Sequence, residues 1–506
     1  PEACSIVLMP NECHPRLVTK LPKIPIGQVG IEKLMAQYSD VATILKALPR
    51  SATAQLLTSY VSIISGPTPN PDGSLKDLHI ILMDNRRSEM AADPKFKQAL
   101  QCIRCGSCLN VCPIFRLVGG HVFGKVYTGG IGTILTAWFD ELKQSEEIQG
   151  LCIQCGACRD VCPGKIDIPE LIMEIRRRLV QDKGLPLIQQ AIYAVVNNRT
   201  LFHGMLRAAS LAGKPFSSGS FIRHLPLFLA DLTDGRSLPA IAAKPFRDLF
   251  KAIKQPECSE KVAFYAGCLI DFAYPEMGVA LISILNKAGI EVIFPEDQTC
   301  CGAPARYNGA YEVAATNAVD NIKALLAVEV QYVVSACPTC TVALAHEFIS
   351  TFESLGQTGW IPQARQLAEK TIDFSSLVKK LVDQGRLTLK EGQELGSITY
   401  HDSCHLKRTL QVSEQPRELL GKAGYRLQEM FECDTCCGMG GSYSLKLPEI
   451  SGPILQRKLK NIRETGATTV AMDCPGCVMQ IRGGFDQQGG EVKVRHTVEL
   501  LAERLK

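Results

Sequence analysis

CCGAP at residues 300–304 and CCGMGGSY at residues 436–443 set out the plan of the second half of this chain. Each cysteine pair sits inside a longer pattern, C-x31-CCG-x34-C-P-x-C, first as Cys268, Cys300, Cys301, Cys337 and Cys340. The pattern returns as Cys404, Cys436, Cys437, Cys474 and Cys477, with one more residue in the second gap. The apolar runs Lys261–Ala266 and Ser397–His401 precede the first cysteine of each set, and Tyr332–Ser335 and Thr469–Met472 precede the two C-P-x-C segments. Strand-like runs alternating with helical stretches predict two α/β halves with parallel sheets. Sites in such sheets gather at the C-terminal ends of strands, where these cysteines fall.

Upstream, a second repeat is offset by 50 residues: CIRCGSCLNVCP (102–113) and CIQCGACRDVCP (152–163). Both fit the C-x2-C-x2-C-x3-C-P run of bacterial ferredoxins, in which the fourth cysteine serves the cluster of the other motif. The expected ligand sets are therefore Cys102, Cys105, Cys108 and Cys162 for one cubane [4Fe–4S] cluster, and Cys152, Cys155, Cys158 and Cys112 for a second. Zinc also uses C-x-x-C pairs, but it requires neither the third cysteine nor the closing C-P. Gly119–Lys125 approaches a phosphate-binding loop, but Val126 stands where that loop needs Ser or Thr for magnesium.

The two repeats place 18 of 22 cysteines, and Cys4, Cys13, Cys258 and Cys433 are read as ordinary buried thiols. Tight clusters in a chain of this size predict thiolate metal ligands in a reducing compartment, hence the cytoplasm. Residues 1–10 lack the basic flank and apolar core of a signal peptide, and no run of about 20 apolar residues could span a bilayer. The chain starts on Pro1, so a longer parent protein is expected. A net charge of +4 is too mild to argue for nucleic acid. Residues 176–256 carry 13 Lys and Arg against 4 Asp and Glu. That local excess suits a partner surface or peripheral contact with the inner face of a membrane.

The expected architecture is α/β plus α. Residues 1–90 form a partial α/β segment with strands at Ser5–Met9 and Leu78–Met83 and a helix at Ile31–Leu48. Residues 91–175 form a dicluster ferredoxin-type helical module, and 176–256 a basic helical linker. Residues 257–390 and 391–506 form the two Rossmann-like halves.

Five thiolates per half exceed what a cubane or a zinc ion uses, and adjacent cysteines cannot easily both face corners of one cube. An irregular cluster with bridging thiolates is the reading this favours, with a vicinal disulfide or zinc as the alternative. These halves resemble the CCG domains of the heterodisulfide reductases, where such motifs hold noncubane [4Fe–4S] clusters. YAGC (265–268), CCGAP, YHDSCHLKR (400–408), CCGMGGSY and DCPGC (473–477) are most similar to the lactate-utilisation protein A branch. RLVTKLP (16–22), LPRSATAQLLTSY (48–60), GGHVFGKVYTGGIG (119–132), KIDIPEL (165–171) and LPAIAAKPFRDLF (238–250) are similar to lactate-utilisation protein B. The resemblance implies a fusion of B to A joined near Pro256–Lys261. Residues 1–90 would be the C-terminal part of a LUD-type domain whose earlier portion is missing here.

The resemblance implies oxidation of L-lactate to pyruvate by an iron–sulfur component of a lactate dehydrogenase complex, acting with a protein C-like subunit and an external electron acceptor. No G-x-G-x-x-G follows a strand, so flavin and nicotinamide sites are not expected. Two alternatives differ in chemistry: an electron-transfer subunit of a flavin-dependent D-lactate or glycolate dehydrogenase, and disulfide reduction of the heterodisulfide reductase kind. His401, His405, Lys407 and Arg408 are candidates for a base and a carboxylate anchor.

Overall fold

The computed structural model describes residues 3–225, 230, 233, 236–390 and 396–506. These fall into two compact units: Pro1–Cys152 with Ala157–Ile175, and Ile153–Gly156 with Arg176–Lys506. The division interrupts the second ferredoxin-type motif, whose loop Ile153–Gly156 is grouped with the second unit.

In the first unit, Ile6–Leu8 pairs antiparallel with Ser62–Ile64, and Ile26–Gly30 pairs parallel with His79–Met83. Both expected strands are present, but the expected helix at 31–48 is displaced. Ile31–Lys33 is a single 3-10 turn, and the helix runs Asp40–Thr53. Asp40 opens the helix with a carboxylate in its first turn, where the helix dipole favours negative charge, and it accepts from the Gln37 N–H at 3.0 Å. Two-stranded pairs have little apolar area to share. Ile26, Ile80, Ile81 and Leu82 therefore stay exposed, and Cys4 and Cys13 are exposed rather than buried. The buried thiols expected at those two positions need a thicker core than this segment provides.

The core of the first unit lies in the ferredoxin-type module, around Met90, Phe96, Ala99, Ile134 and Ile172, all fully buried. Pro113 opens the helix Pro113–Val122, where its missing N–H costs nothing. The two motifs repeat in backbone as well as in sequence. Arg104 and Gln154 both have φ of 62°, and Gly106 and Gly156 both have φ of 78°.

The second unit holds two all-parallel four-stranded sheets. In the first half, β1 (Lys261–Phe264), β2 (Glu291–Ile293), β3 (Tyr332–Ser335) and β4 (Thr371–Asp373) run in the order 2-1-3-4. In the second half, β5 (Ser397–Tyr400), β6 (Arg426–Leu427), β7 (Thr469–Met472) and β8 (Lys493–His496) run 6-5-7-8, the same order. The strand order reverses between the two central strands of each sheet, which opens a crevice at their C-terminal ends. Cys268 and Cys404 lie just past β1 and β5, and Cys337 and Cys474 just past β3 and β7.

One core runs through both halves, taking Val262, Phe264 and Val334 from the first and Ile398, Val470 and Met472 from the second. His496 donates from Nε2 to the Ala336 carbonyl at 2.9 Å, while its Nδ1 accepts from Val498, so it ties the second sheet to the first. Leu389 and Lys390 pair with Leu505 and Arg504. The expected join at 390/391 touches residues 391–395, which lie outside the described residues.

The basic segment begins within the helix Ile168–Lys183 and continues helical over Leu187–Asn197 and Arg199–Gly213. After a 3-10 turn at Lys214–Phe216 come short antiparallel strands, Ser217–Ser218, Phe221–Ile222 and Leu238–Pro239, before a last short helix, Phe246–Phe250, so the all-helical expectation fails over the strand portion. Many of its cations are spent within the second unit. Arg199 pairs with Asp297, Arg207 with Asp248, Arg223 with Asp486, Arg247 with Asp271 and Lys251 with Glu296. No helix of the described residues is long and apolar enough to cross a membrane.

Candidate metal centres

In the first unit, Cys102, Cys105, Cys108 and Cys162 line one cavity with Tyr127, Ile131 and Ile166. Burial pushes the Cys108 thiol up to about 12, and the thiolates of Cys102, Cys105 and Cys162 push the same way. Four thiols this crowded resist ionising together until a cation shares their charge. The rim comes from the N-terminal segment. Lys33 Nζ donates to the Cys102 carbonyl, Ser107 donates to the Ser51 carbonyl, and buried Glu32 holds Arg87 at 2.5 Å and Arg104 at 3.8 Å. Glu32 and Lys33 carry no signal in the sequence, because their charges come together only in the fold. Of the second expected set, Cys112, Cys152 and Cys158 belong to the first unit and Cys155 to the second.

In the second unit, all ten cysteines of the paired motifs line a single cavity, and Cys155 lines it too. The thiols form an unbroken series of hydrogen-bonding neighbours. It runs Cys268, Cys300, Cys301, Cys340, Cys337, then across to Cys474, Cys477, Cys437, Cys436 and Cys404. Cys437 and Cys477 have sulfurs 3.5 Å apart. The second cysteine of each pair ionises more readily than the first. Donation from Cys300 and Cys340 brings Cys301 down to about 6, and donation from Cys436 and Cys477 brings Cys437 down to about 5. Cys300, Cys301, Cys436 and Cys437 are free thiols, with no vicinal disulfide.

Gly302 and Gly438 make the approach possible. Both have positive φ, 77° and 87°, and a Cβ would meet Ala314 Cα at 3.1 Å or the Ser451 carbonyl at 2.8 Å. Ten largely buried soft donors, with Ala266, Leu269, Ala303 and Met439 around them, suit thiolate-bound iron–sulfur groups rather than hard cations. The residues present fit such groups.

The four candidates for base and anchor end in different surroundings. A π-helical turn at His405–Thr409 follows Cys404, and π turns often mark functional positions. It sets His405 against the cavity, with Nε2 3.1 Å from Tyr307 Oη and Nδ1 2.9 Å from Thr339 Oγ1. Lys407 lies 3.5 Å from Asp402 and 3.3 Å from Asp434, and Arg408 donates to the Asp434 carbonyl and carboxylate. His401 is wholly buried beneath the sulfurs, and burial followed by the Lys458 charge lowers it to about 3. Of these four, His405 alone lines the cavity. Tyr307 and Thr339 carry no sequence signal, because each gains its place by contact with His405 from the other half. Cys433, expected to be an ordinary buried thiol, is half-buried, and its carbonyl holds both His401 Nδ1 and Lys458 Nζ.

Three family models match the chain: a LUD domain over residues 2–83, a 4Fe-4S dicluster domain over 98–166, and a cysteine-rich CCG domain over 262–345 and again over 398–482. Lactate utilization protein A 1 of Bacillus mycoides is 36% identical over 246 residues, covering 48% of this chain and 97% of that protein. The chain belongs to the lactate utilization proteins. Lactate utilization protein A of Halalkalibacterium halodurans is 35% identical over 243 residues, 48% of this chain and 96% of its own length. Lactate utilization protein B of Shouchella clausii is 36% identical over 256 residues, 50% of this chain, and the chain spans about half (54%) of that relative. A crystal structure of a hypothetical protein from Helicobacter pylori aligns over 92% of this chain and 82% of its own, at a TM-score of 0.45 and 10% identity. The matches to proteins A and B agree with a B-like and an A-like part joined in one lactate utilization chain.

Proposed function

We propose that this chain carries electrons from the oxidation of L-lactate to pyruvate, through two cubane and two noncubane [4Fe–4S] clusters, to an external acceptor. The observation behind this reading is the shared cavity. Ten thiols from two α/β halves surround one space, and a ferredoxin-type cysteine, Cys155, reaches the same wall. Bound there, iron–sulfur groups would supply one-electron steps. Cys102, Cys105, Cys108 and Cys162 would hold one cubane cluster, and Cys152, Cys155, Cys158 and Cys112 the other. The two paired-cysteine sets would hold the noncubane pair.

Within the cavity, His405 is the group placed to hold or move a proton at Nε2 or Nδ1, with Tyr307 and Thr339 fixing its ring. Tyr307 in turn donates to Glu347 at 2.9 Å, which extends the hydrogen-bonded path away from the sulfurs. Lactate oxidation releases two electrons and two protons, so a proton path beside two electron-accepting sites matches the stoichiometry. A protein C-like subunit completes the proposed complex.

The test is to purify the chain anaerobically, count roughly sixteen irons for four clusters, and follow visible bleaching on adding L-lactate with and without the C-like subunit. Bleaching supports a substrate site on this chain. If the clusters bleach only when a reduced flavoprotein is supplied, the chain is an electron relay and the dehydrogenase lies elsewhere. Reoxidation of the reduced protein by an organic disulfide, with no response to lactate, would instead favour disulfide reduction.

A further inference from the structure

His401 lies three residues before Cys404 in the stretch YHDSC (400–404), and its ring is held by one contact. Its Nδ1 lies 3.1 Å from the Cys433 carbonyl oxygen. A carbonyl only accepts, so Nδ1 carries the proton, and in the neutral ring Nε2 presents a lone pair. Nε2 is buried and has no hydrogen-bond partner among the described residues. His401 lies with the sulfurs of Cys437 and Cys477 in a group whose donor atoms are all within 4.8 Å of one another. An unsatisfied buried lone pair is costly, and carbonyl-anchored imidazoles are a usual form of a metal-ligating histidine.

The first half is built differently at this point. The residue 136 positions earlier is Tyr265, also fully buried, and its hydroxyl donates to the Thr299 carbonyl at 2.6 Å. Its only polar side-chain atom is thereby used. Two sites with the same five cysteines thus differ by one nitrogen donor.

We propose that His401 Nε2 is a ligand to the iron–sulfur group of the second cysteine set, making it a mixed sulfur–nitrogen site while the first set binds through sulfur alone. This rests on iron occupying the paired-cysteine sites. The full chain, prepared anaerobically with 57Fe and with either 14N- or 15N-histidine, provides the test. Mössbauer spectra record the iron of each site in any charge state, and pulsed electron paramagnetic resonance of the redox-titrated protein records bound nitrogen.

The expected result is a histidine hyperfine coupling that changes with the isotope, and a Mössbauer subspectrum of about one iron that shifts in His401→Gln but not in Tyr265→Phe. Iron-loaded protein with no isotope-sensitive coupling and no subspectrum altered by His401→Gln overturns the proposal. So does a coupling that survives in His401→Gln. If that variant does not fold, the coupling is followed in His405→Gln, the other histidine at the cavity: a coupling retained there supports His401, and its loss overturns the proposal. Iron absent from the paired-cysteine sites would overturn the functional reading as well, and the iron count separates that failure from the loss of the nitrogen alone.

Discussion

The two CCG halves share strand order, cysteine pattern and a core, yet they surround their sulfurs with different charge. In the first half, Asn321 crosses beneath the cysteine pair, accepting from the Thr299 N–H at 2.9 Å and donating to the Cys300 carbonyl at 2.9 Å. In the second, Lys458 occupies the corresponding turn and donates to the Glu432 and Cys433 carbonyls at 2.5 and 3.4 Å. The register follows from the glycines, since Gly302 packs on Ala314 and Gly438 on Ser451, 137 residues apart. Both side chains perform the same backbone-holding task, but only one brings a positive charge. Burial lowers Lys458, and the facing Cys437, Cys433, Cys404 and Cys436 oppose that by favouring its charged form. The two halves thus keep one cysteine frame while their electrostatics differ.

The comparison can be broken outright at the ligands. Cys437→Ser and Cys301→Ser should each remove on the order of four of about sixteen irons, leaving the other half loaded, as read by iron per chain. Loss of all paired-site iron from either variant would mean the halves form one indivisible centre, as the Cys337–Cys474 contact allows.

Next in size is the buried pair beside the second site. Arg417 grips Asp402 through two bonds of 2.9 Å. Burial raises Asp402, but the Arg417 bonds outweigh it and bring the carboxyl to about 2. Arg417→Ala should destabilise the protein by on the order of 3 kcal/mol in denaturant melts at pH 7. Because the folded carboxyl lies below its unfolded value near 4, this contribution is present above about pH 4. It fades as pH falls toward 2, so the variant and parent should converge in acid.

Lys458→Asn, which imports the first half's residue, should lower the potential of the second site by on the order of 100 mV. That is the effect of a unit charge several Å away at an effective dielectric of about 20. A redox titration showing no change would mean that Lys458 is neutral in place. The smallest expected difference is steric. Gly438→Ala should cost about 2 kcal/mol and Gly302→Ala about 1, since both occupy positive φ but the carbonyl facing Gly438 is closer.

Much of the architecture was legible because cysteine chemistry and strand patterning are local. Tyr332–Ser335 and Thr469–Met472 read as strands since each is a short apolar run stopped by C-P-x-C. Strands Thr371–Asp373 and Lys493–His496 gave no such signal because they are edge strands with mixed polarity. The helix expected at 31–48 starts later, at Asp40, after a 3-10 turn at Ile31–Lys33, which apolar periodicity alone does not reveal. The charge of 176–256 suggests an outside partner, whereas ion pairs such as Arg223–Asp486 use much of it within the unit.

The sequence by itself determined which atoms can bind metal and how many sets they form, because two repeats with fixed spacing leave few other uses for 18 thiols. Only the tertiary structure decided which sets share a cavity, that His405 meets Tyr307 and Thr339, and that buried His401 gathers with Cys437 and Cys477. Ligand identity is written in side-chain chemistry, but proximity and the direction of a lone pair are properties of packing between segments far apart in the chain.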